Sequence, residues 1–145
     1  MYVGLKHLHS LMPFLLLLLL FLGLTKSAVA LHKGKPHTEG DKKNGLLLLI
    51  VSHLQFLIGC ILYFFSPLTA TGLSDFSLAM RDSTMRLYTL EHPLVMIIAL
   101  VFITMAYLKS KKDTSDALKH NVKRVYYSLA LALIISRIPW SVWPQ

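Results

Sequence analysis

Four apolar segments restrict the folds that this sequence can adopt. They cover approximately residues 3–25, 46–66, 87–108 and 124–143. At about 1.5 Å of rise per residue, roughly 20 helical residues cross the hydrocarbon of a bilayer, so each segment is long enough for one passage. A helix also satisfies its own backbone hydrogen bonds, which lipid cannot do. The sequence therefore predicts an all-α fold, a four-helix transmembrane bundle that forms a single domain over residues 1–145.

The composition is that of a membrane protein. Charged residues make up 15% of the 145 residues and hydrophobic residues 54%, whereas soluble proteins have roughly 25% charged residues. The net charge of +8 is therefore interpreted as a determinant of membrane orientation, and no nucleic-acid partner is expected. The single cysteine, Cys60, excludes an intrachain disulfide and a covalent C-x-x-C-H haem attachment.

The basic residues are distributed unevenly between the two ends of the predicted bundle. Eleven of the 15 Lys and Arg residues fall in segments 26–45 and 109–124, which face the same side. The four on the other side are Lys6, Arg81, Arg86 and Arg137. Because basic loops stay in the cytoplasm, both termini are predicted on the outer side of the membrane. The alternative is that residues 1–30 form a cleaved signal peptide, which requires the opposite orientation.

Several ionisable side chains are predicted at one depth, near the outer end of the bundle. Glu91 and His92 lie in the first turns of the third segment, His9 near the start of the first, and Arg137 near the end of the fourth. Ionisable groups in hydrocarbon are costly and usually face a bundle interior, where they have a function. Four-helix bundles build cofactor sites from such facing side chains. We therefore expect a functional site at this end, whereas His53 is predicted deeper in the membrane.

Bis-histidine ligation of haem is the first chemistry that this pattern favours. Haem iron accepts imidazole nitrogens from two helices, and His9 and His92 are the predicted axial pair. The reserve candidates are His53, His7 and Met96, although His7 and His9 are about 200° apart on a helix and cannot both face inward. The haem carboxylates need cations, which Arg86, Arg137 and Lys6 would supply. Glu91 is expected to orient a ligand histidine or to pair with Arg137.

Other interpretations of the histidines stay open at this point. A copper or zinc site would use His7, His9, His53 and His92 with Glu91, although no H-x-x-x-H or H-x-x-E-H element is present. A buried Glu–His pair would also suit a proton relay or a quinol contact. Histidines near basic loops have a further interpretation, as interfacial side chains without chemistry; these are His32, His37 and His120.

Two prolines predict local breaks in helical hydrogen bonding beside the histidines. Pro13 removes the amide that would bond the His9 carbonyl, and Pro93 does the same to the carbonyl of Thr89. We expect a kinked but continuous helix through Pro93. Small or polar residues recur every four positions at Gln55, Gly59 and Tyr63, and again at Ser128, Ala132 and Ser136. Both sets are interpreted as helix packing.

Four motifs in order resemble a known family. They are His7-Leu8-His9-Ser10, His53-Leu54-Gln55-x-x-Ile58-Gly59-x-x-Leu62-Tyr63-Phe64-x-Ser66-Pro67, Arg86 to Glu91-His92-Pro93, and Ser136-Arg137-Ile138-Pro139-Trp140. The order resembles that of small bacterial four-span membrane proteins catalogued as cytochrome b, over nearly the whole chain. The resemblance implies haem b and electron transfer, and it points to His9 or His7, His53, and Glu91–His92.

The predicted function is an integral membrane, b-type haem-binding electron-transfer protein of a respiratory chain. Its expected partners are the lipid bilayer and quinone or other respiratory membrane subunits. An electron carrier or accessory subunit is favoured over a stand-alone enzyme. The alternatives are a non-redox accessory or assembly subunit and a histidine-based metal-handling membrane protein.

Overall fold

The structure is a computed structural model that describes residues 2–144, and 86% of it is helical with no strand in that range. The four long helices are α1 (Tyr2–Lys33), α2 (Glu39–Phe65), α6 (His92–Ser110) and α7 (Asp116–Arg137). Between α2 and α6 lie the short helices α3 (Pro67–Ser74), α4 (Phe76–Arg81) and α5 (Ser83–Arg86), followed by a π-helical segment, Leu87–Glu91. The prediction of an all-α fold is confirmed.

Three helices are long and apolar enough to cross a membrane. They are Tyr2–Lys33, Glu39–Phe65 and the continuous run Ser83–Ser110, which joins α5, the π-helical segment and α6. Helix α7 is not among them, because charged side chains occupy much of its first half. It ends at Arg137, since Ile138 has extended backbone angles and Pro139 cannot continue a helix. Three apolar helices of this length indicate a membrane protein.

The four long helices pack in a closed ring, in which α1 contacts α2, α2 contacts α6, α6 contacts α7 and α7 contacts α1. The centre is filled by buried apolar side chains; these include Leu16, Leu20, Leu48, Ile103, Tyr127 and Ile134. The outward faces are also apolar, with Phe21 and Leu57 each 57% exposed. Helices that are hydrophobic all round suit lipid, whereas such a surface on a soluble protein would aggregate.

The connection between α1 and α2 is defined by its caps. Gly34 has a φ of 59° and follows the last residue of α1, and the Lys35 amide donates to the Ala30 carbonyl at 2.9 Å, as in a Schellman motif. Thr38 and Asp41 then form a capping box at the start of α2. This tight hairpin places the C-terminus of α1 beside the N-terminus of α2. We call this end of the ring, which also holds the start of α7, the basic end.

Candidate functional site

The structure brings His9 of α1 and His92 of α6 together at the end of the ring opposite the basic end. Their ring centroids are 6.3 Å apart and the ring planes meet at 76°. Helix α7 joins them, because Nδ1 of His92 lies 2.8 Å from the carbonyl oxygen of Arg137. That carbonyl belongs to the last turn of α7, where a helix leaves its carbonyls without amide partners. Three elements therefore define this pair.

The hydrogen bond to Arg137 determines which ring nitrogen of neutral His92 carries the proton. A peptide carbonyl only accepts hydrogen bonds, so Nδ1 of His92 must be the donor. The other ring nitrogen, Nε2, then has a free lone pair. Metal-ligating histidines commonly donate one ring N–H to a carbonyl in this way, which fixes the ring and its tautomer.

Gln55 of α2 fixes His9 in the opposite tautomer. Its amide nitrogen donates to the His9 carbonyl at 2.8 Å and lies 3.1 Å from Nδ1 of the same histidine. The carbonyl is free because Pro13, four residues later, has no amide hydrogen. Since the amide nitrogen can only donate, Nδ1 accepts and neutral His9 carries its proton on Nε2. A Cβ on Gly59 would lie 3.0 Å from Cε1 of His9, so this close approach favours glycine.

A second free carbonyl lies just before His92 and is also bonded by α2. Pro93 cannot donate to the carbonyl of Thr89, and the hydroxyl of Tyr63 donates to that oxygen at 2.9 Å. The backbone forms a π-helical segment here, with the amide of His92 bonded to the carbonyl of Leu87. Such wide turns are frequent at functional sites. The helix is continuous through Pro93, as the sequence predicted.

The interpretation of Gln55, Gly59 and Tyr63 as packing residues alone was incomplete. Gln55 and Tyr63 donate to the two carbonyls that the prolines leave free, and Gly59 makes room for the His9 ring. The sequence did contain a signal for this role. A proline lies four residues after His9 and another four residues after Thr89, so each of these two carbonyls needs a hydrogen-bond donor from elsewhere. The sequence did not show which side chain would supply it.

Glu91 forms ion pairs with two of the arginines at this end, Arg86 and Arg137. Its carboxylate lies 2.8 Å from Nε of Arg86 and 3.3 Å from Nε of Arg137. Of the two predicted roles for Glu91, the structure shows the pairing with Arg137. The group that orients His92 is the Arg137 carbonyl. Glu91 therefore supports His92 indirectly, by holding the end of α7 that carries this carbonyl.

The remaining predicted ligands lie away from this pair. His7 is exposed, and His53 is an exposed residue whose Nδ1 is 2.8 Å from the carbonyl of Leu49 in its own helix. Met96 packs against the apolar core. Among residues 2–144, no group of three or more His, Cys, Asp or Glu side chains is arranged to hold a metal ion. The copper or zinc site built from four histidines and Glu91 is therefore not assembled.

A second polar cluster at the basic end was missed by the sequence analysis. His120 is 1% exposed and its ring lies 5.1 Å from that of His37, so the interpretation of His120 as an interfacial side chain was wrong. Lys123 and Tyr127 are buried beside them on α7. Positions 120, 123 and 127 repeat at core spacing on a helix, which was the signal that could have shown this inward face.

Comparisons with protein-family models, characterised proteins and solved structures match nothing to this chain. The resemblance to cytochrome b proteins therefore rests on the four sequence motifs alone. What this chain does has to be argued from the two clusters themselves.

Proposed function

We propose that this chain is an integral membrane electron-transfer protein that binds haem b, with His92 and His9 as the axial ligands. The observation that carries the proposal is the separation of 6.3 Å between the two ring centroids. Two imidazoles on opposite faces of one iron, each with a bond of about 2 Å, have ring centroids roughly 6 Å apart. The pair also joins two helices of an apolar ring, as cofactor sites in helical bundles do.

His92 meets the needs of an axial ligand as it stands. Its Nδ1 donates to the Arg137 carbonyl, which leaves Nε2 with the lone pair that iron requires. The cations expected beside haem carboxylates, Arg86 and Arg137, lie at the same end and share Glu91. Bound haem would supply one-electron chemistry. The chain would position it and balance its charge.

His9 meets these needs in position but not in tautomer. Its proton sits on Nε2 while Gln55 donates to Nδ1, and ligation through Nε2 requires the proton on Nδ1. The side-chain oxygen of Gln55 is buried and bonded to no group of residues 2–144. A half-turn of this amide would present the oxygen to Nδ1 and release the lone pair of Nε2, and it would break the bond from the amide nitrogen to the His9 carbonyl. Gln55 is thus the residue that must change when His9 becomes a ligand.

The proposed setting is the bacterial cytoplasmic membrane, with α7 as a fourth span and both termini on the outer side. Support comes from the charge distribution, since the basic end holds the segments with eleven of the 15 Lys and Arg residues. The histidine pair then lies near the outer surface. There it would exchange electrons with quinone or with other respiratory membrane subunits.

The test is the optical spectrum of the protein purified after expression with a haem supply. We expect a b-type spectrum on reduction, its loss in His92→Ala, and its loss or conversion to a high-spin form in His9→Ala. The matched control is His53→Ala, which removes a histidine that bonds only its own helix and should leave the spectrum unchanged. A colourless wild-type protein would overturn the proposal. Metal analysis of the same sample tests the metal-handling alternative.

A second candidate function is a haem-free accessory subunit that contacts a quinol or relays a proton. The complementary tautomers favour it, because His9 offers an Nε2–H donor and His92 an Nε2 acceptor to any group between them. A quinol hydroxyl accepts from one and donates to the other. A colourless protein whose affinity for a quinol analogue falls in both His9→Ala and His92→Ala would support this function instead.

A further inference from the structure

The basic end contains buried polar groups that lack hydrogen-bond partners. Tyr127, His120 and Lys123 are 0%, 1% and 2% exposed. The Tyr127 hydroxyl and all four ring nitrogens of His37 and His120 have no partner within residues 2–144. The Lys123 ammonium has three hydrogens, and its one recorded bond in that range goes to the Asp41 carbonyl at 2.6 Å. Buried polar groups are costly without partners. Each neutral histidine has one N–H donor, and Tyr127 and Lys123 add further donors, so this cluster suits a group that accepts several hydrogen bonds.

These donors form one cluster. The rings of His37 and His120 are 5.1 Å apart. A Cβ on Gly45 would lie 3.3 Å from Nζ of Lys123 and 3.6 Å from the Tyr127 hydroxyl, so these two atoms face the same point on α2. The α1–α2 connection, α2 and α7 therefore contribute to a shared polar interior at the basic end.

The charge around the cluster is positive. Lys26 lies within electrostatic reach of Lys123, and Lys119 within reach of His37. Two carboxylates lie near these charges: that of Asp41 accepts from the amide and the hydroxyl of Thr38 at 2.8 and 2.7 Å, and that of Asp116 lies 3.8 Å from Nζ of Lys119. A metal cation would meet repulsion from these lysines, whereas an anion would meet donors and positive charge.

A surface groove lies beside this cluster, and Asp41 is the residue that they share. It has a volume of about 390 Å³ and its polar lining includes Lys26, Lys35, Thr38 and Asp41. Asp41 is the residue whose carbonyl binds Lys123, and His37 follows Pro36, which also lines the groove. The remaining wall consists of Thr25 and the apolar side chains of Val29 and Ala30, all on α1. The groove thus combines a cationic edge with an apolar face.

We propose that this groove binds the phosphate of an anionic phospholipid headgroup, with Lys26 and Lys35 in its lining and the buried Lys123 behind Asp41. The apolar wall on α1 continues into the apolar part of the same helix, as an acyl chain requires, whereas free phosphate has no use for it. Basic grooves between transmembrane helices on the cytoplasmic side bind such headgroups. The site is independent of haem and of the His9–His92 pair.

The test uses the full chain in a neutral detergent. Apparent Kd values come from the rise in thermal unfolding temperature as short-chain phosphatidylglycerol, phosphatidylcholine or inorganic phosphate is added. We expect phosphatidylglycerol to bind most tightly. Lys26→Gln with Lys35→Gln should weaken it roughly 25-fold, since each lysine near an anionic surface contributes roughly fivefold. The matched control is Lys43→Gln with Lys112→Gln, which removes the same charge from exposed positions outside the groove lining and should change the Kd less than twofold.

Three outcomes would overturn the proposal. Equal protection by phosphatidylcholine would show that no anion is selected, and equal protection by inorganic phosphate would assign the site to a free anion. An equal loss in the control pair would show that only net charge matters. Lys123→Gln tests the inner part, where a folded variant with unchanged affinity would remove Lys123 from the site. If that variant does not fold, the Lys26 and Lys35 pair still decides the proposal.

Discussion

Gln55 is a single residue that compensates for a proline on another helix. Pro13 deprives the His9 carbonyl of its amide partner, and the Gln55 amide donates to that oxygen at 2.8 Å. A buried peptide carbonyl without a partner is unfavourable in an apolar environment. The bond therefore stabilises the α1–α2 contact and, through Nδ1, also holds the His9 ring.

Replacing Gln55 by leucine should lower the free energy of unfolding by about 1–3 kcal/mol, the cost of a buried acceptor left unpaired. In a Pro13→Ala background the new amide of residue 13 can bond the His9 carbonyl, so the same replacement should cost about 1 kcal/mol less. Unfolding of the four proteins in denaturing detergent measures this coupling. Strictly additive costs would show that Gln55 does not act on the carbonyl that Pro13 frees.

His37 makes the stability of the basic end depend on pH. Its pKa is lowered from 6.5 to about 4, mainly because burial disfavours the charged ring and secondly because Lys123 repels it. The unfolded chain therefore takes up a proton near pH 6.5, and the folded chain only near pH 4. The stability that neutral His37 contributes is present above pH 6.5 and is lost as the pH falls towards 4.

Acidification from pH 7 to 4.5 should thus destabilise the wild type more than His37→Gln, by on the order of 1 kcal/mol after allowance for partial exposure of the ring. Thermal unfolding at both pH values measures the difference. His32→Gln, an exposed histidine of the same end, serves as the control and should follow the wild type. A His37→Gln variant that loses as much stability as the wild type would contradict this assignment.

For single residues, the sequence predicted where a side chain lies better than it predicted which groups that side chain contacts. The depth argument placed His9 and His92 together, and the structure shows their rings 6.3 Å apart. The role of Gln55 was overlooked because Gln, Gly and Tyr at a spacing of four residues form the same sequence pattern whether their side chains only pack or also donate hydrogen bonds. His120 was misjudged because its neighbours in sequence are lysines, although its neighbours in space are His37 and the core of α7.

Among the elements, the π-helical segment Leu87–Glu91 determines how His92 enters the site. Helix α3 packs against this segment, because Gly72 of α3 contacts Thr89 directly. A Cβ at position 72 would collide with the hydroxyl and Cβ of Thr89. The Tyr63 hydroxyl holds the carbonyl of the same residue. Pro93 predicted that the helical hydrogen bonding is interrupted here. The wide π-helical turn could not be predicted from the sequence, because its shape depends on these contacts with α3 and α2.

Replacing Gly72 by alanine should therefore destabilise the protein by about 1–3 kcal/mol, as overpacking of a close contact does. Because Thr89 lies three residues before His92, any haem spectrum should also shift. Gly4→Ala is the matched control, since a Cβ there meets nothing within 4 Å, and it should be neutral or stabilising by up to about 1 kcal/mol. Similar losses of thermal stability in both variants would rule out the Thr89 contact as the cause.

At the scale of the whole molecule, the apolar periodicity predicted the helices well and their ends less well. The length of the apolar segments was enough to predict α1, α2 and α6. The fourth segment was predicted to extend to residue 143, whereas its helix ends at Arg137. After the end of α7 the chain returns to α1, where Trp143 donates to the Ser10 carbonyl and stacks on Phe14. Such a return is set by tertiary contacts that periodicity does not report.

The orientation of the ring is a property of the whole molecule, because charge at one end determines which loops stay in the cytoplasm. The basic end holds the α1–α2 and α6–α7 connections, and the opposite end holds α3 to α5. A cysteine at Ser115, before α7, should therefore react with a membrane-impermeant maleimide only after the cells are permeabilised. A cysteine at Ser74, at the end of α3, should react in intact cells.

Both variants are made with Cys60→Ser, which removes the one natural thiol. Labelling of Ser115→Cys but not Ser74→Cys in intact cells would reverse the orientation. The groove that Lys26 and Lys35 line would then face the outer side, and the His9–His92 pair the cytoplasm. Labelling of both in intact cells would place the two connections on the same side, which a run of three membrane crossings through α1, α2 and α6 does not permit.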